Sequence, residues 1–90
     1  MINFVLIKKV QPKYPAKAQQ LKLPGLVKLS YQVNSLGNVI NITVDKSTNK
    51  AFTKSALKAL NQWKYEGYNQ PKKNETPIHN IEFSFKIDEN

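Results

Sequence analysis

The side chains that could carry out chemistry are few in this chain. It has a single His, at position 79, it has no Cys, and its six carboxylates show no spacing that would bring two together on one predicted element. General acid–base catalysis needs converging titratable groups, and a metal site needs several His, Cys or carboxylate ligands. The serines lack a nucleophile-elbow context, and the three isolated glycines predict no phosphate-binding loop. The sequence therefore favours a protein that is not an enzyme and uses neither a metal nor a cofactor.

The positive charge is the next feature with a bearing on function. Fourteen Lys and no Arg stand against six acidic residues, which gives a formal net charge of +8. Base readout and stacking on nucleic acid favour the planar fork of Arg. The lysines are spread from Lys8 to Lys86 and occur at most in pairs, which is typical of a solvated surface. We therefore expect no nucleic-acid partner, while an attraction to acidic partners or anionic surfaces stays open.

Length and apolar content indicate one small domain. Ninety residues, 40% of them apolar, suffice for one modest core. No stretch approaches the ~20 apolar residues that cross a bilayer. Residues 1–10 are apolar, but Lys8 and Lys9 follow the apolar run instead of preceding it, which argues against a signal peptide. We expect residues 1–10 to be an extended lead-in segment and residues 11–90 to be the domain.

The hydrophobic pattern predicts two helices and three strands. A short helix opens at Tyr14-Pro15 and stops at Pro24-Gly25. Two alternating runs then form a hairpin around a turn at residues 34–38, with Gly37 free to take a positive φ. The apolar residues expected on one face of this hairpin are Val27, Leu29, Tyr31 and Val33 in the first strand and Ile40, Ile42 and Val44 in the second.

The second half of the chain predicts a longer helix and a final strand. Phe52, Ala56, Leu57, Leu60 and Trp63 form one helical stripe. Thr48 or Asn49 can cap its start and Gly67 marks its end, and residues 67–76 are read as a loop. The last strand follows, with Ile81, Phe83, Phe85 and Ile87 on its apolar face and His79 near its start as an edge residue.

These elements predict an α+β fold, a three-stranded antiparallel sheet with helices packed on one face, in the order helix-strand-strand-helix-strand. A right-handed crossover through the long helix makes the third strand antiparallel to the first if the two lie side by side. The third strand is then an edge of the sheet. Each edge presents a row of unpaired N–H and C=O groups, so an edge is where a partner or a second copy of the chain can pair.

Several motifs along the chain resemble those of the TonB C-terminal domain family. They are QPKYPAKAQ at residues 11–19, the G-x-V and G-N-V ends of the hairpin at residues 25–39, F-x-x-x-A-x-x-A-x-x-x-W-K-Y at residues 52–65, and I-x-F-x-F at residues 81–85. In this order and spacing they cover about residues 10–87. The residues that carry the resemblance are mainly expected to shape the fold, with Trp63 and Tyr65 as core aromatics: Tyr14, Pro15, Gly25, Gly37, Phe52, Trp63 and Tyr65.

The resemblance implies the periplasmic domain of an energy transducer whose full-length form is anchored in the inner membrane. In that family the domain captures the TonB box of an outer-membrane transporter as an added strand beside its last strand. An ExbB/ExbD motor supplies energy from the proton gradient through the N-terminal anchor, and siderophores or vitamin-type substrates are taken up. The anchor and a Pro-rich spacer are not found in these ninety residues, so we expect either an excised domain or a short protein.

The predicted partner site is the open edge of the last strand. Strand addition takes its affinity from main-chain hydrogen bonds, so it needs an edge more than particular side chains. The resemblance adds Gln11 and Pro12, which map to the region that contacts the box. The side chains expected to flank an added peptide along the strand are Ile78, Asn80, Glu82, Ser84 and Lys86.

Other functions stay open at this level. The leading alternative is a TonB-like domain at the end of a membrane peptidase or sensor protein that binds a different partner. A domain related to TolA is less favoured, because it lacks support in the Tyr14-Pro15 and Trp63-Lys64-Tyr65 signatures. A nucleic-acid binder would show binding that falls steeply with salt. The open edge also allows a strand-exchange homodimer.

Overall fold

A computed structural model describes residues 5–66 and 77–87. The predicted loop at residues 67–76 lies outside the described residues. Two helices and five strands occur in the described ranges, in the order β1 (Leu6–Lys8), α1 (Ala16–Gln20), β2 (Gly25–Val33), β3 (Val39–Ser47), α2 (Lys50–Leu60), β4 (Lys64–Tyr65) and β5 (His79–Phe85).

The main sheet is antiparallel, with the strand order β3-β2-β5. Strand β5 pairs with β2 without interruption, from Gly25 opposite Phe85 to Tyr31 opposite His79. The predicted topology is therefore confirmed: the last strand lies beside the first strand of the hairpin and forms an edge of the sheet. Strands β1 and β4 form a separate two-stranded sheet.

The core lies between the sheet and the helices because the strands and α2 each present one apolar face. Val27, Leu29 and Val33 of β2 are completely buried. Tyr31 of β2 also belongs to the buried cluster. Residues of both helices, β4, β5 and the chain after α2 complete it: Ala18, Phe52, Ala56, Leu60, Trp63, Tyr65, Phe83 and Phe85. Gly25 is required by this packing, since a Cβ there would lie 2.2 Å from the Phe52 ring.

The face assignment in β3 was only partly right. The β2–β3 register shifts twice. Asn41, whose φ is 52°, lies at the shift between the pairs of Ser30 and Gln32. An extra residue at a bulge reverses which side chains face the core. As a result Val39 and Ile42 pack against the core, whereas Ile40 lies opposite Gln32 on the other face.

Helix α2 begins as expected and ends early. The Asn49 side chain accepts a hydrogen bond from the Ala51 N–H at 2.8 Å, which caps the first turn. The helix ends at Leu60, so the prediction that it runs to Gly67 was wrong. Trp63 is still buried, but the chain after the helix brings it to the core.

The lead-in segment takes part in the smaller sheet. Leu6 lies opposite Tyr65 in the β1–β4 pair, and the Glu66 N–H donates to the Val5 carbonyl at 2.6 Å. The hairpin turn adjoins the other side of β4, where the Tyr65 N–H donates to the Gly37 carbonyl at 2.9 Å. Whether residue 11 is a domain boundary stays a prediction.

Gly37 is required by this turn for two reasons. Its φ of 86° is in the left-handed region, as predicted, and a Cβ at this position would lie 2.1 Å from the Tyr65 carbonyl oxygen. The Asn34 side chain closes the same turn by accepting from the Leu36 and Asn38 N–H groups. The turn therefore fixes β4 against the main sheet.

His79 stacks in an aromatic cluster at the start of β5. Its ring is nearly parallel to those of Tyr31 and Tyr65, with centroids 5.3 and 5.9 Å away. The two tyrosine hydroxyls share a hydrogen bond of 2.6 Å. Burial lowers the pKa of His79, and burial together with the Tyr65 hydroxyl raises the pKa of Tyr31.

Replacing Gly37 with Ala is expected to lower the free energy of unfolding by at least about 2 kcal/mol, because it combines a strained φ with a main-chain clash. Urea unfolding followed by circular dichroism measures the loss. Ser35→Ala in the same exposed turn is the matched control and should change stability by less than about 0.5 kcal/mol. Equal losses in both variants would contradict the role assigned to Gly37.

Replacing His79 with Phe is expected to reduce the acid sensitivity of the fold. The folded pKa lies below the ordinary 6.5, so the unfolded chain binds the proton more readily than the folded protein. The stability from the neutral ring is complete above about pH 6.5 and is lost as pH falls through the folded pKa. Between about pH 7.5 and pH 5, Tm should therefore fall less in His79→Phe than in wild type. Equal falls would rule out a contribution from His79.

Candidate functional site

The outer side of β5 is the open edge of the main sheet. Within residues 5–66 and 77–87, β5 pairs with β2 and no strand pairs with its other side. Such an edge presents main-chain donors and acceptors at the spacing of a sheet ladder. The opposite edge, β3, carries two register shifts that interrupt its regular spacing. Of the two edges, β5 is the one with an uninterrupted register to its neighbour.

A cleft of about 270 Å³ runs beside this edge. One wall is the segment from Lys9 to Tyr14, and the other is β5 and the residue after it. The lining residues are Lys9, Gln11, Pro12, Tyr14, Ile81, Glu82, Phe83, Ser84, Phe85 and Lys86. Five of the residues predicted from sequence therefore meet here, namely Gln11, Pro12, Glu82, Ser84 and Lys86.

Two of the predicted residues lie elsewhere. The Ser30 hydroxyl lies 2.9 Å from the Asn80 amide oxygen and also contacts the Asp45 carboxylate, and its single proton can be donated to either one. These three side chains join β5, β2 and β3 across the solvent face of the sheet, outside the cleft. Ile78 precedes β5 and is 66% exposed, at the end of the strand away from Lys86.

Hydrogen bonds to buried or helical groups hold the first wall of the cleft in place. The Trp63 indole N–H donates to the Val10 carbonyl at 2.9 Å, and the Lys9 ammonium lies 5.8 Å from the centre of the Trp63 ring. The Ser55 hydroxyl of α2 donates to the Lys13 carbonyl. Gln11 and Pro12 are thus fixed between two anchored positions.

Tyr14 fixes the same wall to the core. Its ring meets Phe52 and Phe85 edge-on, with both centroids 5.7 Å away, a favourable arrangement of aromatic rings. Its hydroxyl donates to the Leu23 carbonyl. Because Phe85 belongs to β5, this contact ties the first wall of the cleft directly to the open edge.

The cleft is positively charged. Lys9 and Lys86 line it without a carboxylate in ion-pair distance among the described residues. Glu82, the acidic residue of the lining, has the Lys28 ammonium 3.9 Å from its carboxylate. Both groups of this pair are half exposed, so the pair adds little to stability. An extended ligand in the cleft therefore meets the main-chain N–H and C=O groups on the open side of β5 and a net positive charge from the lining lysines.

No pattern in the sequence indicates Lys9 or Ser55 as a part of this site. Both act through the tertiary structure, Lys9 on the Trp63 ring and Ser55 on a carbonyl 42 residues away.

Among the described residues, no group of three or more His, Cys, Asp or Glu could hold a metal ion. In the same part of the chain, no helix has the length and apolar character to cross a membrane.

Fold and site together define a small α+β domain whose three-stranded sheet leaves one edge open beside a cleft. The sequence model of the Gram-negative bacterial TonB protein C-terminal region matches residues 10–87. The chain belongs to the TonB C-terminal domain family.

Curated relatives named Protein TonB agree with this membership. The chain is 37% identical over 57 residues to the protein of Salmonella typhimurium, which is 62% of this chain and 24% of the relative. Its identity to the Klebsiella pneumoniae protein is 31% over 61 residues, which is 67% of this chain and 25% of the relative. The chain therefore spans about a quarter of the length of these relatives.

Solved structures share the fold over nearly the whole chain. The solution structure of the Pseudomonas aeruginosa TonB C-terminal domain matches with a TM-score of 0.82 at 25% identity, covering 97% of this chain and 89% of that one. The TonB2 protein of Vibrio anguillarum matches with a TM-score of 0.72 at 29% identity, covering 94% and 82%. The α+β fold predicted from sequence is that of these domains.

Replacing Trp63 with Phe is expected to release the first wall of the cleft. It removes the N–H that binds the Val10 carbonyl, and we expect about 2 kcal/mol of lost stability together with shifted amide resonances of Lys9 and Gln11. Tyr31→Phe, which removes a buried hydroxyl away from the cleft, is the matched control. It should leave both resonances in place, and shifts of the same size in both variants would contradict the assignment.

Proposed function

We propose that this domain captures a short extended peptide, the TonB box of an outer-membrane transporter, by adding it as a strand to the outer side of β5. It works by binding and not by catalysis. Gln11, Pro12, Glu82, Ser84 and Lys86 flank the added strand. In the complete protein, an N-terminal anchor in the inner membrane and an ExbB/ExbD motor would drive uptake of siderophores or vitamin-type substrates across the periplasm.

The observation that carries this proposal is the coincidence of an open edge and a preformed cleft. An added strand lies about 4.8 Å from β5, so it would occupy the space between β5 and residues 9–14. Gln11 offers amide donors and acceptors at that position, and Pro12 has no N–H that would need a partner. The ligand is therefore bound mainly through its main chain, which fits recognition of an extended peptide.

The geometry also suits a link that bears force. Under a pull along the strands, the ladder between β5 and the peptide loads several main-chain hydrogen bonds together. The β5 strand is in turn fixed to β2 by seven residue pairs. The bound peptide would therefore be held by a rigid sheet and not by a single side chain.

The test is a titration of isotope-labelled protein with a synthetic peptide covering the TonB box of an outer-membrane transporter, followed by backbone amide shifts. We expect saturable shifts in residues 79–86 and at Gln11, and none in β3. Because the contact is a main-chain ladder, a matched peptide with Pro at its centre should bind at least tenfold more weakly.

Protein variants separate the site from the family assignment. Gln11→Ala should weaken binding two- to tenfold, while Thr43→Ala on the β3 edge should leave it unchanged. Shifts centred on β3 would place the peptide on the other edge and overturn the site. Absence of shifts at millimolar peptide would overturn transporter capture and favour a partner such as that of a membrane peptidase or sensor protein.

A further inference from the structure

Three segments of the chain converge on Tyr65 at the end of the sheet away from Lys86. Leu6 of β1 lies opposite Tyr65. The Gly37 carbonyl in the hairpin turn accepts its N–H, and the His79 ring stacks on its ring. This end of the molecule is therefore built from β1, the turn and the start of β5, and it lies outside the residues that line the cleft.

Each of these segments exposes large apolar side chains next to its contact with Tyr65. Leu36 precedes Gly37 and is 76% exposed, Ile78 precedes His79 and is 66% exposed, and Ile7 and Val5 flank Leu6 at 62% and 50%. We call these four residues the apolar tip. Single exposed apolar residues are ordinary. Four of them next to the contacts of one residue concentrate exposed apolar side chains at this end of the molecule, which is a feature of interaction sites.

The tip carries an unusual pair of positive charges. Lys8 and Lys64 lie directly opposite each other in the β1–β4 pair. Like charges in this position repel and weaken the pairing. The Lys64 ammonium donates to the Asn38 amide oxygen, and in the described residues neither lysine has a carboxylate in ion-pair distance. An anionic surface next to this pair would offset the positive charge of both side chains.

We propose that the apolar tip docks on the surface of an anionic phospholipid bilayer. Apolar side chains bordered by lysines match a membrane interface, where the side chains enter the headgroup region and the ammonium groups meet phosphates. The formal net charge of +8 favours the same surface at longer range. Among the described residues, the acidic residue that follows Tyr65 is Glu66, whose N–H donates to the Val5 carbonyl.

This docking is independent of peptide capture and compatible with it. The tip lies at the end of the β2–β5 pair where Tyr31 faces His79, whereas the cleft extends to Phe85 and Lys86. A domain resting on a membrane through its tip keeps the cleft open to a peptide. It would be held at the bilayer in which such a partner is embedded.

Co-sedimentation of the ninety-residue chain with large vesicles tests the proposal. We expect the wild-type chain to bind vesicles of equal parts phosphatidylglycerol and phosphatidylcholine, and to bind pure phosphatidylcholine at least tenfold more weakly. The variant Leu36→Ser/Ile78→Ser should bind the anionic vesicles at least tenfold more weakly than wild type. The matched control is Leu21→Ser/Leu23→Ser, which changes two exposed leucines away from the tip and should bind within twofold of wild type.

Three outcomes would overturn the proposal. The first is absence of binding to anionic vesicles, and the second is equal weakening of binding in the two double variants. The third is unchanged binding of Leu36→Ser/Ile78→Ser, which would show that the chain adsorbs through its dispersed lysines alone. A fourth outcome that would overturn the proposal comes from analytical ultracentrifugation without lipid. If the chain self-associates and Leu36→Ser/Ile78→Ser abolishes this, the tip is a contact with a second copy of the chain. Thermal unfolding confirms that both variants are folded, and the peptide titration reads out strand addition separately.

Discussion

Burial of the central strand β2 is the constraint on which the rest of this structure depends. Val27, Leu29 and Val33 have no exposed surface, because they lie in the core cluster with residues of α2, and β2 has a pairing strand on each side. A small domain has few such positions, so each fully buried side chain makes up a large part of its stability. Since β2 takes both neighbours, β3 and β5 both become edges of the sheet. The open edge is thus a consequence of how a three-stranded core is closed.

The two edges differ because of local backbone geometry. The bulges of β3 increase its twist and break its register, which protects it against pairing with other chains. The β5 edge has no such interruption, and residues 9–14 lie beside it. The Trp63 indole N–H donates to the Val10 carbonyl of that segment, and the Tyr14 ring packs against the rings of Phe52 and Phe85. Core packing therefore determines the width of the cleft, although its wall lies outside the sheet.

Charge and apolar surface are distributed unevenly over the domain. The cleft and the apolar tip both have lysine borders, yet one offers main-chain hydrogen bonds and the other offers exposed aliphatic side chains. These are different kinds of recognition, one directional and the other proportional to buried area. A domain about 47 Å long can place them apart and use both at once.

The sequence by itself determined the order of the two helices and the three strands of the main sheet, the apolar face of β2 and β5, a cap at Thr48 or Asn49 and the positive φ of Gly37. These features depend on local periodicity and on the backbone preferences of single residues. Tertiary structure decided the face of Ile40, the early end of α2, the β1–β4 pair, and the placement of Lys9 and Ser55 at the cleft. Each of these results from a bulge or from a contact between distant segments. Periodicity indicates the buried face of a regular strand or helix, whereas bulges and packing between distant segments decide which other residues meet.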